Sequence, residues 1–233
     1  MASKVPKHVA IILDGNRRYA KKLGLQPWKG HEYGLRKLEE LFNWCMELGI
    51  KELTLYCFST ENFTRNKKEI FYLFNLFWKE FKNIKKSKGV YKNKIRINII
   101  GRLNLFSKRM QDAMLSAMQK TRQNKKLTVN LALGYGGRQE ITDAIRAIIK
   151  DVRTNKIEES EISEKLVSGY VYLSSEPDIV IRPGGEVRTS NFLTWQSAYS
   201  EWVFMKKLWP EFTKEDFVSC IDEFNARSRR FGT

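Results

Sequence analysis

The sequence predicts an α/β fold in which helices flank a mostly parallel, six-stranded sheet. Short apolar runs alternate with segments whose apolar residues recur at helical spacing, which is the order expected of repeated β-α units. The run from Glu52 to Phe58 is almost continuously apolar, as parallel strands buried on both faces are. No internal repeat, low-complexity tract or linker divides the 233 residues, so we expect a single domain over residues 1–233.

The strands are predicted from the apolar runs, and the helices from apolar spacing and capping residues. The six expected strands are Val9–Leu13, Glu52–Phe58, Lys94–Ile100, Leu127–Leu133, Asp178–Ile181 and Trp202–Phe204. In the helix expected over Glu32–Glu47, apolar residues recur every three or four positions, and Gly49 is a suitable C-cap. Ser107 and Thr213 are suitable N-caps for later helices. The other expected helices are Lys67–Ile84, Gln139–Val152 and a short one ending near Val167.

The chain is strongly basic, with 42 lysines and arginines against 26 aspartates and glutamates and a net charge of +16. A surface of this kind attracts nucleic acids, anionic membranes or polyanionic small substrates. The basic residues are spread along the chain among glutamates and never form a run of five, so no nucleic acid partner is expected.

The cysteines and the N-terminus indicate the expected compartment. Cys45, Cys57 and Cys220 follow neither metal-ligand nor disulfide spacing and are expected in the core. The first residues lack the apolar region of a signal peptide, and no apolar run is long enough to cross a membrane. We therefore expect a cytoplasmic protein, with a peripheral position at a membrane surface left open.

Polar loops rich in glycine and arginine follow four of the predicted strands. They are Asp14–Arg18, Ser59–Asn62 with Arg65, Gly134–Arg138, and Arg182–Ser190. Because the carboxyl ends of parallel strands share one edge of the sheet, these loops are expected to converge on one cleft. The carboxylate of Asp14 suits a hard cation such as Mg²⁺, while the arginines and the N–H groups of the following helix suit phosphate oxygens. The sequence therefore predicts a pocket for one or two phosphorylated ligands.

Other common enzyme motifs are missing. The sequence contains neither GxxxxGK[ST] nor a GxGxxG after the first strand, and it has no GxSxG nucleophile elbow. Covalent catalysis is therefore not the favoured chemistry. Magnesium with arginine clamps instead fits reactions in which a diphosphate leaves.

Five ordered blocks of the chain resemble the cis-prenyltransferases, which include undecaprenyl diphosphate synthase and dehydrodolichyl diphosphate synthase. The blocks are His8–Ala20, Gly30–His31, Thr54–Phe63, Gly134–Arg138 and Ile181–Glu201. The resemblance extends from about Pro6 to Gly232 and is closer to the archaeal and eukaryotic branches. It implies repeated condensation of isopentenyl diphosphate onto a farnesyl or geranylgeranyl diphosphate primer, giving a long-chain cis-polyprenyl diphosphate lipid carrier. It also implies a Mg²⁺ cofactor, a homodimer, a membrane-associated product and an apolar tunnel.

The resemblance also assigns expected roles to individual residues. Asp14 would hold magnesium at the allylic diphosphate, and Glu201 would be a second acidic residue for that ion. Ser59 and Asn62 would act with Asp14 as the catalytic group near the reacting carbons. Substrate binding would involve Gly15, Asn16, Arg17, Arg18, His31, Arg65, Arg182, Arg188, Ser190, Arg230 and Gly232. In the family, the last two belong to a C-terminal motif that reaches the diphosphate site across the dimer.

Some alternatives remain open on the sequence alone. Bacterial members of the family often carry an arginine four residues before the histidine that corresponds to His31. This chain has Pro27 at that position. Primer choice therefore stays undecided, as does a glyceryl-phosphate prenyl lipid as the acceptor. A non-catalytic partner subunit and a nucleic-acid-binding protein are competing hypotheses. Phe74, Phe77 and Met114 are candidate walls of the tunnel.

Overall fold

The computed structural model describes residues 5–84, 90 and 92–227. All six strands belong to one sheet, and every pairing in it is parallel. The strands are β1 His8–Ile12, β2 Glu52–Ser59, β3 Ile95–Ile100, β4 Leu127–Tyr135, β5 Ile179–Arg182 and β6 Glu201–Phe204. Their order across the sheet is β3-β4-β2-β1-β5-β6. The predicted α/β fold with its parallel sheet is confirmed.

The helices lie close to their predicted bounds. They are α1 Asn16–Lys22, α2 Gly30–Leu48, α3 Lys67–Lys82, α4 Lys108–Thr121, α5 Gly137–Arg153, α6 Glu164–Tyr170 and α7 Lys214–Ala226. Ser107 and Thr213 accept hydrogen bonds from the backbone N–H groups of Met110 and Asp216, as expected of N-caps. Among the strands, β4 continues two residues past its predicted end because Tyr135 pairs with Ser59 at the end of β2.

Side chains of each strand alternate between two cores, one on each face of the sheet. On one face Val9 and Ile11 are fully buried within the larger cluster, and on the other Ala10 and Ile12 join a smaller cluster with Phe192. Cys45 and Cys220 are buried as predicted, whereas Cys57 is partly exposed. None of the helices among residues 5–84, 90 and 92–227 is long and apolar enough to cross a membrane.

An apolar cavity of about 260 Å³ lies between α2, α3 and the sheet. Leu38 and Phe42 of α2 line it, together with Phe77 and Phe81 of α3. Of the three predicted tunnel residues, Phe77 lines this cavity, while Phe74 packs in an aromatic cluster with Phe58 and Phe106 and Met114 is fully buried in the core.

Candidate active site

The polar loops meet at the carboxyl edge of the sheet, where they line two adjoining pockets. The first has a volume of about 620 Å³ and the second about 610 Å³. Both are lined by Asp14, Asn16, His31, Arg65 and Arg188. The predicted convergence therefore occurs, because β1, β2 and β5 are neighbours in a parallel sheet and end together.

Asp14 follows β1 directly and lies between two guanidinium groups. Arg182 Nη2 donates to Asp14 Oδ2 at 2.9 Å, and Arg18 Nη2 donates to Asp14 Oδ1 at 3.0 Å. The Arg182 side chain is 4% exposed and that of Asp14 is 26% exposed. The carboxylate thus joins the loop after β1 to the loop after β5.

Two glycines allow these loops to approach closely. Gly184 has φ 102°, and a Cβ atom there would lie 2.9 Å from Arg18 Nη2 and 3.1 Å from Asp14 Cβ. Gly15 has φ 109°, and its Cβ would lie 2.9 Å from Leu208 Cβ. Both positions favour glycine through backbone conformation as well as space.

The loop after β5 forms a clamp around the Arg182 guanidinium. Arg182 Nη1 donates to Ser190 Oγ at 2.7 Å and also to the carbonyl oxygen of Arg188. The side chain of Arg188 points to the rim, where it is 62% exposed and pairs with Glu186 at 2.7 Å. Three candidate residues for one diphosphate, Arg182, Arg188 and Ser190, therefore lie together.

Ser59 and Asn62 cap the short 3-10 helix that follows β2. Asn62 N donates to Ser59 Oγ at 3.2 Å, and Ser59 N donates to Asn62 Oδ1 at 3.1 Å. This reciprocal pair fixes both side chains at the wall of the first pocket. The Asn62 amide nitrogen takes no part in the pair.

Glu69, at the start of α3, is a buried acid in the site that the sequence analysis missed. Its side chain lies 3.4 Å from Arg65, 3.6 Å from His31 and 3.8 Å from Arg17. The His31 side chain, followed by the two arginines, holds the pKa of Glu69 below its usual value against the opposing effect of burial. Burial lowers the pKa of His31. The spacing of Arg65 and Glu69, four residues apart at a helix start, is the signal that could have revealed it.

Asn191 was also missed, and it connects three of the loops. Its Nδ2 donates to Glu61 Oε1 at 3.2 Å and to Gln139 Oε1 at 3.0 Å, and its Oδ1 accepts from Arg138 N at 2.9 Å. Its φ of 61° lies in the left-handed region that asparagine tolerates better than most residues. Asn191 therefore joins the clamp, through its neighbour Ser190, to the loops after β2 and β4.

Three buried polar atoms of the first pocket find no hydrogen-bond partner within residues 5–84, 90 and 92–227. They are Asn16 Oδ1, His31 Nε2 and Arg182 Nε. Buried polar atoms in proteins are nearly always hydrogen-bonded. Three such exceptions therefore lie beside one pocket.

The structure does not bring Glu201 to this site. Glu201 begins β6, pairs in register with Ile179 and through it with Val9, and forms an ion pair with Arg227 at 3.1 Å. Asp14 instead follows the opposite end of β1, and the three residue steps from Val9 to Ile12 alone span about 10 Å. Ligands of one Mg²⁺ lie about 2 Å from the ion, so these two carboxylates cannot share one within a single chain. Arg230 and Gly232, the other outlying candidates, fall outside the described residues.

Asp14 suits a magnesium ion that is held mainly by its substrate. No group of three or more metal-ligating His, Cys, Asp or Glu side chains occurs in the described part of the chain. Mg²⁺ commonly binds through one or two carboxylates together with substrate phosphates and water. Each Asp14 oxygen accepts one arginine hydrogen bond and keeps a lone pair for a cation. The residues present therefore fit the ion.

Comparisons with known proteins agree along nearly the whole chain. Residues 12–232 match the family model described as "Putative undecaprenyl diphosphate synthase". A curated relative, the tritrans,polycis-undecaprenyl-diphosphate synthase (geranylgeranyl-diphosphate specific) of Thermococcus kodakarensis, is 48% identical over 233 residues, covering 99% of this chain and 88% of the relative.

Two solved structures have the same fold. The lavandulyl diphosphate synthase from Lavandula x intermedia, in complex with dimethylallyl diphosphate, matches with a TM-score of 0.93 at 32% identity, covering 98% of this chain and 99% of that one. The probable undecaprenyl diphosphate synthase from Campylobacter jejuni matches with a TM-score of 0.83 at 33% identity, covering 99% and 100%.

Proposed function

Because this chain belongs to the undecaprenyl diphosphate synthase family of cis-prenyltransferases, we propose that it extends geranylgeranyl diphosphate with isopentenyl diphosphate into a long cis-polyprenyl diphosphate. The primer and the long product follow the printed activity of the Thermococcus kodakarensis relative. The transferase class itself is common to the curated relatives, which are 42–50% identical over nearly the whole chain.

One observation carries this proposal: two groups of phosphate-binding side chains meet at Asp14. Arg17 and Arg18 lie on the α1 side of the pockets, and the Arg182 clamp lies on the β5 side, 2.9 Å from the Asp14 carboxylate. A protein that joins two diphosphate esters needs both groups within one cleft. We assign the α1 side to the allylic primer and the β5 clamp to isopentenyl diphosphate.

The reaction breaks the C–O bond of the allylic diphosphate and forms a C–C bond to the alkene of isopentenyl diphosphate. Pyrophosphate departs with the electron pair of the broken C–O bond, and the proton then lost from the new carbon chain is taken up by that pyrophosphate. Arg17 and Arg18 would stabilise the charge that develops on the departing diphosphate, because charge-assisted hydrogen bonds to phosphate are strong. Arg182, Arg188 and Ser190 would hold the second diphosphate so that its alkene faces the reacting carbon. Mg²⁺ bound at Asp14 would add Lewis-acid stabilisation of the leaving group.

Ser59, Asn62 and His31 lie in the first pocket, beside both diphosphate positions. The mutual capping of Ser59 and Asn62 keeps both side chains fixed, so the Asn62 amide nitrogen is available to donate a hydrogen bond to a phosphate oxygen. Burial favours the neutral ring of His31, which can hydrogen-bond to a phosphate oxygen as a donor. The apolar cavity beside Phe77 would receive the growing chain and exclude water from the cation.

One competing hypothesis loses support from the same site. A non-catalytic partner subunit would not require Asp14 and the Arg182 clamp, yet both are present and in contact. The homodimer stays a proposal, because Arg230 and Gly232, the residues expected to reach across it, lie outside the described residues. Light scattering of the purified protein would test it.

The decisive experiment offers the purified protein Mg²⁺, labelled isopentenyl diphosphate and competing primers. Dimethylallyl, farnesyl and geranylgeranyl diphosphates and a prenyl glyceryl phosphate would be mixed, and the butanol-extracted products identified by mass. We expect geranylgeranyl diphosphate to be consumed first and long polyprenyl diphosphates to form. Failure to form a labelled lipid with any primer would refute the proposed function, whereas elongation of the glyceryl phosphate would reassign the acceptor.

A further inference from the structure

The solvent-facing side of α3 combines exposed lysines with the exposed ring of Phe71 and the partly buried ring of Trp78. Lys68, Phe71, Trp78, Lys79 and Lys82 recur at helical spacing and form one line along the helix, which we call the outer stripe of α3. Phe71 is 72% exposed. The opposite face of α3 is occupied by buried residues such as Leu73 and Phe81, and of the stripe only Trp78 packs against the core.

The cations of this surface are little neutralised. Within the described residues, no acidic side chain lies within salt-bridge distance of Lys68, Lys79 or Lys82. The ring of Trp78 lies between two cations, with the guanidinium carbon of Arg109 at 3.7 Å and Lys82 Nζ at 4.7 Å from its centroid. Tryptophan beside lysine and arginine is typical of protein surfaces at the boundary between water and lipid.

The apolar cavity lies directly behind this helix. Phe77 and Phe81, on the inner face of α3, line it, and the cavity shares Leu35, Leu38 and Phe77 with the first pocket of the active site. Only α3 therefore separates the outer stripe from the space that is continuous with the site of chain growth. A lipid in that space would lie one helix away from a bilayer docked on the stripe.

We propose that the outer stripe of α3 docks the protein on the surface of an anionic lipid bilayer. The lysines would face lipid phosphates, and Phe71 and Trp78 would enter the interfacial layer. Charge complementarity supports this partner, because anionic leaflets attract clustered lysines and the chain carries +16 overall. An exposed phenylalanine favours lipid over nucleic acid here, because the stripe needs an apolar environment as well as anions. The docking itself does not depend on the proposed function. Only its purpose, delivery of the lipid product to the bilayer, rests on that function.

Vesicle co-sedimentation tests the proposal without any substrate. Vesicles of phosphatidylcholine alone would be compared with vesicles of equal parts phosphatidylcholine and phosphatidylglycerol. The patch variant combines Lys68→Gln, Lys79→Gln and Lys82→Gln, the three lysines of the stripe. The control variant combines Lys51→Gln, Lys150→Gln and Lys165→Gln, which removes the same charge from exposed lysines outside α3. A third variant, Phe71→Ser, leaves the charge unchanged.

We expect the wild type to bind the anionic vesicles, and more weakly as salt is raised. Each lysine near an anionic surface contributes roughly fivefold in affinity, so the patch variant should bind about 100-fold more weakly. Phe71→Ser should weaken binding about tenfold through lost apolar burial. No wild-type binding to anionic vesicles, or equal losses in the patch and control variants, would overturn the proposal.

Two further measurements separate the possible failures. A duplex DNA titration that depends on the patch lysines, without vesicle binding, would reassign the surface to nucleic acid and overturn the proposal. Turnover in a nonionic detergent, where no bilayer is present, should be unchanged in the patch variant. If the wild type is inactive there, the proposed function fails while the vesicle result still decides the docking surface.

Discussion

Replacing Asn191 with glycine is expected to weaken the proposed isopentenyl diphosphate clamp while leaving the protein folded. The side chain of Asn191 makes three hydrogen bonds, to Glu61, to Gln139 and from the backbone of Arg138. Glycine adopts the observed φ of 61° without strain, so the variant removes the bonds without a backbone clash. The loops after β2, β4 and β5 would then no longer be held together by this residue.

The magnitude follows from the bonds that are lost. Hydrogen bonds of this kind contribute about 1 kcal/mol each, and more when a partner is charged, so the three together amount to about 2–3 kcal/mol. If they hold the clamp in the transition state, kcat/KM for isopentenyl diphosphate falls by about 30- to 150-fold. The free energy of unfolding should fall by no more than the same amount.

Initial rates with labelled isopentenyl diphosphate at saturating primer would measure the effect. We expect the KM for isopentenyl diphosphate to rise more than the KM for the primer, because Asn191 adjoins Ser190 of the clamp. Asn155→Gly is the matched control, since Asn155 has a φ of 53°, is exposed and lies outside both pockets. Unchanged kinetics in Asn191→Gly, or an equal loss in Asn155→Gly, would refute the positioning role.

Three other changes have defined expected outcomes. Asp14→Asn should abolish turnover at saturating Mg²⁺ with an unchanged circular dichroism spectrum; activity near the wild-type value would remove Asp14 from the mechanism. Gly184→Ala should cost about 1–3 kcal/mol in backbone strain and, through its contact with Arg18, lower turnover more than thermal stability; a loss of stability alone would contradict this. Burial lowers the pKa of His31 below 6.5, so its stabilising contribution is fully present above pH 6.5 and declines as the pH falls toward the folded-state pKa. The unfolding free energy of the wild type relative to His31→Gln should fall over that range in urea titrations, and a constant difference would count against a buried neutral ring.

The convergence of the phosphate-binding loops could be predicted from the sequence, because it requires only that the strands be parallel. Asp14, Ser59 and Arg182 each follow a strand, and parallel strands end at one edge. The strand order was not needed for that prediction. The same logic explains the error with Glu201, which lies 11 residues after Ser190 in the chain but at the beginning of a strand and therefore at the other edge.

Glu69 and Asn191 could not be assigned from local patterns. The first residues of a helix often include an acid, and Glu69 differs only because packing buries it against His31 and Arg65. The importance of Asn191 depends on partners up to 130 positions away in the chain. Neither the burial of Glu69 nor the hydrogen bonds of Asn191 produce a periodicity or a motif in the sequence.

By itself, the sequence determined the alternating β-α order, the basic charge and the residues that face the phosphate-binding edge, because these follow from hydrophobic periodicity and strand ends. Tertiary structure alone decided which side chains contact one another. It placed Arg182 against Asp14 and Ser190, put His31 3.6 Å from Glu69, and separated Glu201 from the site. The physical reason is that distances between elements depend on strand order, register and packing, which are properties of the whole folded chain.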